Sequence, residues 1–400
     1  MKKAKGVRNR TPFSCLRLLH FPLETVCFTL VKKTMVEFVK REFVLVAALV
    51  LAVASMFLVP PDKGYLSYID YRTIGLLFSL MIVVQAFVRC GLFSLVSRKM
   101  LSSVSSVRLL SLSLVFLVFF SSMLVTNDVS LITFVPFTLL VFPQEDHRSL
   151  RFVVVMETIA ANLGSMTLPF GNPQNLYLYN MYRLSFSAFF SAVAPLALVS
   201  LALLFLCVWM HKYEDVPMKN DVGTVSFDKN RFVVALLLFV VCILTVLRVA
   251  DWRITLALVI VVFLVSGREL FANVDYFLLQ TFVAFFVFVG NIARIPSVTG
   301  LVSSLLKEHQ FLTPLLASQV ISNVPAAILL SHFTDNGIAL VLGTDIGGLG
   351  TLIASLASLI SFKAYGKSGE NKGSYLLSFT IWNLVFLLVL CLFAFVFHHV

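Results

Sequence analysis

Apolar residues run in long blocks along most of this chain, and within each block they cover every side of a helix rather than a single stripe. The blocks run from Phe43 to Val59, Thr73 to Val88, Leu109 to Val125, Val129 to Phe142, Phe152 to Tyr179 and Phe186 to Met210. They resume from Phe232 to Leu247, Ile254 to Val265, Phe277 to Ile292, Leu312 to Ser331, Ile338 to Tyr365 and Tyr375 to Phe397. Helices of this length, stacked along one chain, suit a hydrocarbon layer about 30 Å thick. The pattern predicts an all-α polytopic membrane protein.

Several blocks are broken by polar residues. Val125 and Val129 flank the tip Thr126-Asn127-Asp128, and roughly 15 to 17 apolar residues before it and 14 after it predict two arms too short for a comfortable crossing. This predicts a re-entrant hairpin at about 109–142. Ser322-Asn323-Val324-Pro325 predicts a second one at about 311–333. Pro325 stands where a helix restarts and Ser322 or Asn323 can cap it. The blocks at about 149–179 and 337–365 carry Gly, Ser, Asn and Pro in their middles, the composition of broken helices lining a transport site. A surface turn at the first tip and a proline kink at the second are the plainer readings.

The interruptions recur. Ile69-Asp70-Tyr71 with its apolar run to Arg89 matches Val274-Asp275-Tyr276 with its run to Arg294, at a constant offset of 205 residues. Thr126-Asn127 matches Ser322-Asn323, and Asn162-Leu163-Gly164 matches Asp345-Ile346-Gly347. Two repeats follow, 42–211 and 232–400, joined by a hydrophilic linker at 212–231.

Composition agrees with the pattern: 59% of the 400 residues are hydrophobic and 13% charged, too few charges for a soluble surface of this size. The net charge of +11 sits in short loops and reports topology, with no nucleic-acid partner implied. Residues 1–41 hold ten Lys and Arg and predict a basic cytoplasmic arm. Threading the spans from a cytoplasmic N-terminus leaves 14 Lys and Arg in the remaining cytoplasmic loops and seven outside. The two hairpins then enter from opposite faces, so the repeats are inverted. Six cysteines without a CxxC pair imply neither disulfides nor a metal centre.

The candidate chemistry lies at the interruptions. In lipid, irregular backbone needs protein, water or ligand as a partner, so each polar tip predicts a solvated cavity. Carbonyls ending one half-helix can hold a cation, and N–H groups opening the next can hold an anion. Thr126, Asn127, Gly171, Asn172, Pro173, Ser322, Asn323, Thr351 and Ser355 are the candidate substrate residues. Asp128, Asn127, Gly164, Asn323, Asp345 and Gly347 are the candidate coupling-ion residues, because a carboxylate at membrane depth is costly and marks function. For the glycines, close helix packing is the alternative.

These motifs resemble the ion transporter superfamily, which includes citrate and divalent-anion symporters, arsenite permeases and sodium/proton antiporters. The Thr-Asn-Asp tip, the Gly-Asn-Pro-Gln-Asn break at 171–175 and the Ile-Ser-Asn-Val-Pro hairpin carry the resemblance over roughly residues 42–400. It implies an elevator mechanism in which a homodimeric scaffold stands still while hairpins and broken helices carry substrate across the inner membrane. It also implies sodium at Thr126, Asn127, Ser322 and Asn323, with no other cofactor. In the divalent-anion branch both tips read Ser-Asn-Thr. Here the third positions are Asp128 and Val324, and an ionised Asp128 repels a dicarboxylate.

The expected function is a secondary active transporter of a small carboxylate or oxyanion, coupled to sodium or protons. A sodium/proton or arsenite-type exchanger is the alternative. An intramembrane aspartyl protease built on Asp128 and Asp345 is a distant one, since the aspartates are not symmetry mates.

Overall fold

The computed structural model describes residues 38–39, 42–143, 145–214, 226–369 and 371–398. Most of the basic arm and of the linker at 212–231 lie outside the described residues. Among the described residues every regular element is helical. The first half runs α1 (Phe43–Leu58), α2 (Tyr71–Arg89), α3 (Leu92–Leu101), α4 (Val107–Val125), α5 (Asn127–Val141), α6 (His147–Ser165), α7 (Pro173–Met181) and α8 (Phe186–Met210). After α9 (Lys229–Val246) the second half runs α10 (Trp252–Ser266), α11 (Tyr276–Ile292), α12 (Pro296–Glu308), α13 (Leu312–Ile321), α14 (Asn323–Leu330), α15 (Gly337–Gly347), α16 (Leu356–Lys367) and α17 (Lys372–His398).

The helices α2, α4, α8, α9 and α17 are long and apolar enough to cross a membrane, and α11 with α12 qualifies as a pair bent by 104°. The chain is therefore a polytopic membrane protein. Side chains such as Leu198 on α8 and Leu392 on α17 point outward, an arrangement without penalty in lipid. At the other extreme, α6 is buried at every position from Phe152 to Ser165. It is the central post of the bundle, packed by α4, α5, α8, α16 and α17.

Helix starts are set by side-chain caps. Asp70 accepts the Thr73 N–H and Asp275 accepts the Leu278 N–H, so α2 and α11 start with the same cap. Each such cap contributes about 1 kcal/mol. Asn172 caps α7 with Pro173 in the first turn, where its missing N–H costs nothing. The packing crosses between halves: α1 lies on α11, while α9 and α10 lie on α2.

One sequence expectation needs correction. The first arm of the first hairpin, α4, has 19 residues and is long enough to span, at about 1.5 Å per residue. Shortness does not define this hairpin. Its tip does, since Asn127 is buried against the middle of the bundle. The arms of the second hairpin are short, at ten and eight residues.

Candidate functional site

Both hairpin tips turn through the same unusual backbone. Thr126 has φ 76° and ψ 152°, and Ser322 has φ 74° and ψ 153°, a region that side chains strain to enter and that glycine occupies readily. At each tip the next asparagine closes the turn, with Asn127 Oδ1 accepting the Asp128 N–H at 3.0 Å and Asn323 Oδ1 accepting the Val324 N–H at 2.9 Å. Strain held twice at matching polar tips is what a binding site stores. Replacing Thr126 or Ser322 with glycine is expected to raise stability by about 1 kcal/mol each, after glycine's larger unfolded-state entropy is subtracted. Thermal unfolding in detergent measures it, and a loss of stability in both variants would remove the strain argument.

The two tips converge on one cross-strut. Asn162, from the last turn of α6, accepts at its Oδ1 from Asn127 Nδ2 at 3.2 Å and from Ser355 Oγ at 2.9 Å. The adjacent Ala354 carbonyl accepts the Asn323 N–H at 3.0 Å and the Ser322 hydroxyl at 3.4 Å. Ala354-Ser355, in the break between α15 and α16, therefore touches the second tip directly and reaches the first through Asn162. Asn162 was not among the candidate residues from sequence. The signal for it was its match to Asp345 in the repeat.

Asp345 sits in an amide cage. Asn172 Nδ2 and Gln174 Nε2 donate to its Oδ1 at 3.1 and 3.3 Å, and Asn175 Nδ2 donates to its Oδ2 at 2.8 Å. The Gly-Asn-Pro-Gln-Asn break thus spends its polar side chains on a carboxyl from the other half of the chain. Asn162 Nδ2, Asn175 Oδ1, Ser130 Oγ and Ser358 Oγ are buried without a protein partner. A buried polar group left unpaired costs about 1–3 kcal/mol, so several in one region mark a place for ligand or water.

A cavity of about 150 Å³ opens beside the first tip, lined by Thr126, Asp128, Asn172 and Pro173 with Phe170, Gln85 and Asp275. A second, of about 240 Å³, shares Asp128 and Asp275 and reaches Ile353, Leu356 and Lys363. Lys363 is the one cation on these two walls. Asp128 lies between the cavities, apart from the amide cage of Asp345.

The remaining candidates fall elsewhere. A Cβ on Gly164 would meet the Phe119 carbonyl oxygen at 2.2 Å, and one on Gly347 would meet Ser318 at 2.9 Å. Each glycine lets a broken helix lie against the first arm of the hairpin in its own half. Gly171 lets the break fold onto the Ser165 carbonyl, 2.1 Å from the Cβ it lacks. Thr351 is exposed and donates to the Gln319 carbonyl at 3.1 Å, while Gln319 Nε2 donates to the carbonyls of Gly347 and Leu349. The structure brings Asn127, Ser322, Asn323 and Ser355 together, groups Asn172 with Asp345, and leaves Thr351 outside.

Residues 33–337 match the citrate transporter family. An uncharacterised transporter of Methanocaldococcus jannaschii is 30% identical over 82% of this chain and 90% of its own length. The inner membrane protein YbiR of Escherichia coli is 33% identical over 77% of this chain and 83% of its own. The silicon efflux transporter of rice, Oryza sativa subsp. japonica, is 29% identical over 37% of this chain and 31% of its own.

Proposed function

This chain belongs to the citrate transporter family, whose members here are transporters and not enzymes, and from that premise we propose a secondary active, elevator-type transporter of a small carboxylate or oxyanion. The observation that carries this reading is the meeting of both hairpin tips at Asn162 and Ala354-Ser355. Four helices, α5, α7, α14 and α16, begin at those tips and breaks, so their N-terminal N–H groups favour a partly negative ligand. Sodium at Thr126, Asn127, Ser322 and Asn323, or protons, supply the coupling. The chain works as a homodimer in the inner membrane with its N-terminus in the cytoplasm.

Inverted repeats are part of the proposal. The elements α1–α8 recur in order as α10–α17, which makes α9 the odd crossing that turns the second half over and starts the second repeat at α10 rather than at Phe232. Paired contacts support it: Gly164 lies on Ser122 as Gly347 lies on Ser318, and Asn162 meets Ser355 as Asp345 meets Asn172.

A second reading has its own support. With Asp128 in the wall, Asp345 caged by amides and no Lys or Arg at the tips, an uncharged oxyacid exchanged for protons suits the site as well as a dicarboxylate does. The rice relative is named a silicon efflux transporter.

A thermal-shift screen of the purified protein against citrate, succinate, phosphate, arsenite and orthosilicate, with and without sodium, tests both. A ligand present at 100 times its dissociation constant is expected to stabilise by about 2.7 kcal/mol. Stabilisation by citrate or succinate selects the first reading and by orthosilicate or arsenite the second. A ligand that stabilises the Asn127→Ala/Asn323→Ala protein equally would remove the site.

A further inference from the structure

The most completely buried carboxyl outside the tip site is Glu157, which no part of the mechanism above uses. It has no exposed surface and lies on α6 between His147 and Asn162, about 15 Å along the helix from its start. Thr138 Oγ1 of α5 donates to its Oε1 at 2.5 Å. Its Oε2 is buried without a hydrogen-bond partner.

The surroundings decide what such a group can be. Tyr375 comes from α17, and the ring of Tyr365 on α16 packs against it at a tilt of 31°, with centroids 4.8 Å apart. The hydroxyl of Thr158 lies 3.4 Å from the Tyr375 hydroxyl. The charged residues on the surrounding helices are engaged elsewhere: Arg108 of α4 lies over the Trp209 ring, Asp128 of α5 lines the cavities and Asp345 of α15 is caged. Lys363 and Lys367 of α16 and Lys372 of α17 are exposed, α8 carries no charge, and Arg151 of α6 itself is half-buried nearer its start. Among the described residues no ion pair reaches Glu157.

An ionised carboxylate in that setting has one donor for two oxygens and no counter-ion, and an uncompensated buried charge costs several kcal/mol. The neutral acid leaves one O–H unpaired but carries no charge, the smaller of the two costs. Asp345, with three amide donors on its two oxygens, is the contrast within the same bundle. A carboxyl held as the acid inside the bundle, on the helix that also carries Asn162, has the chemistry of a proton carrier. Intramembrane acids that face a bundle interior are where transporters place proton relays.

We propose that Glu157 carries the coupled proton of the transport cycle, bound at Oε2 while the site is closed and released as H⁺, leaving the carboxylate with its Thr138 bond, when a conformational change admits water. This rests on the transporter reading and deepens it by assigning the coupling to a proton at a place apart from the hairpin tips. It has a consequence for α5 and α6: the Thr138 bond ties the return arm of the first hairpin to the central post, so a change of charge at Glu157 acts directly on the element that carries the tip.

The test uses the full chain in proteoliposomes and two readouts. Dicyclohexylcarbodiimide, an apolar reagent that reacts with protonated carboxyls, is expected to modify Glu157 near neutral pH, located by peptide mass spectrometry. This arm uses the unsubstituted protein and does not depend on any variant folding. On a solid-supported membrane, a pH step is expected to evoke a charge displacement that falls at least tenfold in Glu157→Gln and persists in part in Glu157→Asp. Absence of label at Glu157, or an undiminished pH-step current in Glu157→Gln, would overturn the proposal. So would a current evoked by a sodium step in place of the pH step and lost in Glu157→Gln, which would make this a sodium site. The transporter reading fails separately, if none of the screened ligands shows counterflow in the unsubstituted protein.

Discussion

A protein carrying Asn127→Ala and Asn323→Ala together is expected to lose counterflow by at least about a hundredfold while remaining folded. Each asparagine offers one amide to the region where the tips meet, and a polar contact to a charged ligand is worth about 1.5–3 kcal/mol. Two of them amount to two or more decades in rate or affinity, at about 1.4 kcal/mol per decade. The structural cost is smaller. Each side chain closes its own turn with a single bond to the following N–H, and loss of such a cap costs about 1 kcal/mol. Removing Asn127 also takes one of the two donors from Asn162 Oδ1, but Ser355 Oγ still satisfies that oxygen at 2.9 Å. The measurement is counterflow in proteoliposomes of whichever probe the thermal-shift screen selects, with size-exclusion profiles as the folding control. Retained counterflow in a well-behaved double variant would move the site away from the tips.

The second large effect concerns stability. Gly164→Ala is expected to lower it by about 3 kcal/mol, and Gly347→Ala by less, about 1 kcal/mol. The new methyl at 164 would stand 2.2 Å from a backbone oxygen of α4 and 2.4 Å from Ser122 Oγ, so α4 and α6 must part. Overpacking of a filled interior costs about 1–3 kcal/mol, and α6, enclosed along its length, has nowhere to move. At 347 the nearest atoms are Ser318 Cβ and Oγ at 2.9 Å and Leu315 Cα at 3.0 Å, a milder approach that a small shift of α13 relieves. Thermal unfolding in detergent compares the two. A Gly164→Ala protein of unchanged stability that no longer transports would return Gly164 to the coupling-ion duty that its place in the sequence suggested.

Much of this architecture was legible in the order of residues. A run of leucine, valine and phenylalanine has one stable form in lipid, the helix, because every backbone group must be satisfied within the segment. Thr126-Asn127-Asp128 and Ser322-Asn323-Val324-Pro325 were readable for the same reason: polar residues flanked by such runs break a helix locally, and capping and proline chemistry act within a turn. Asn172-Pro173 gave the start of α7 in the same way.

The partners at those breaks were decided by tertiary packing. Asn162 reaches Asn127 and Ser355, Asp345 reaches three amides of the other half, and Glu157 reaches Thr138, contacts between residues distant along the chain. The sequence marked each of these side chains as polar within an apolar run, which says that it needs a partner and not which one. Intramembrane acids draw attention on that ground alone, so Glu157 had a signal of its own, a glutamate between Met156 and Thr158 inside an apolar block. The glycines went the other way. Their spacing allowed a ligand or a neighbouring helix, and only the close approach of α4 to α6 and of α13 to α15 gave the steric reason for them. Local interactions determine where helices start, stop and break. Which broken end faces which is set by how close two backbones can come, and that depends on the whole bundle.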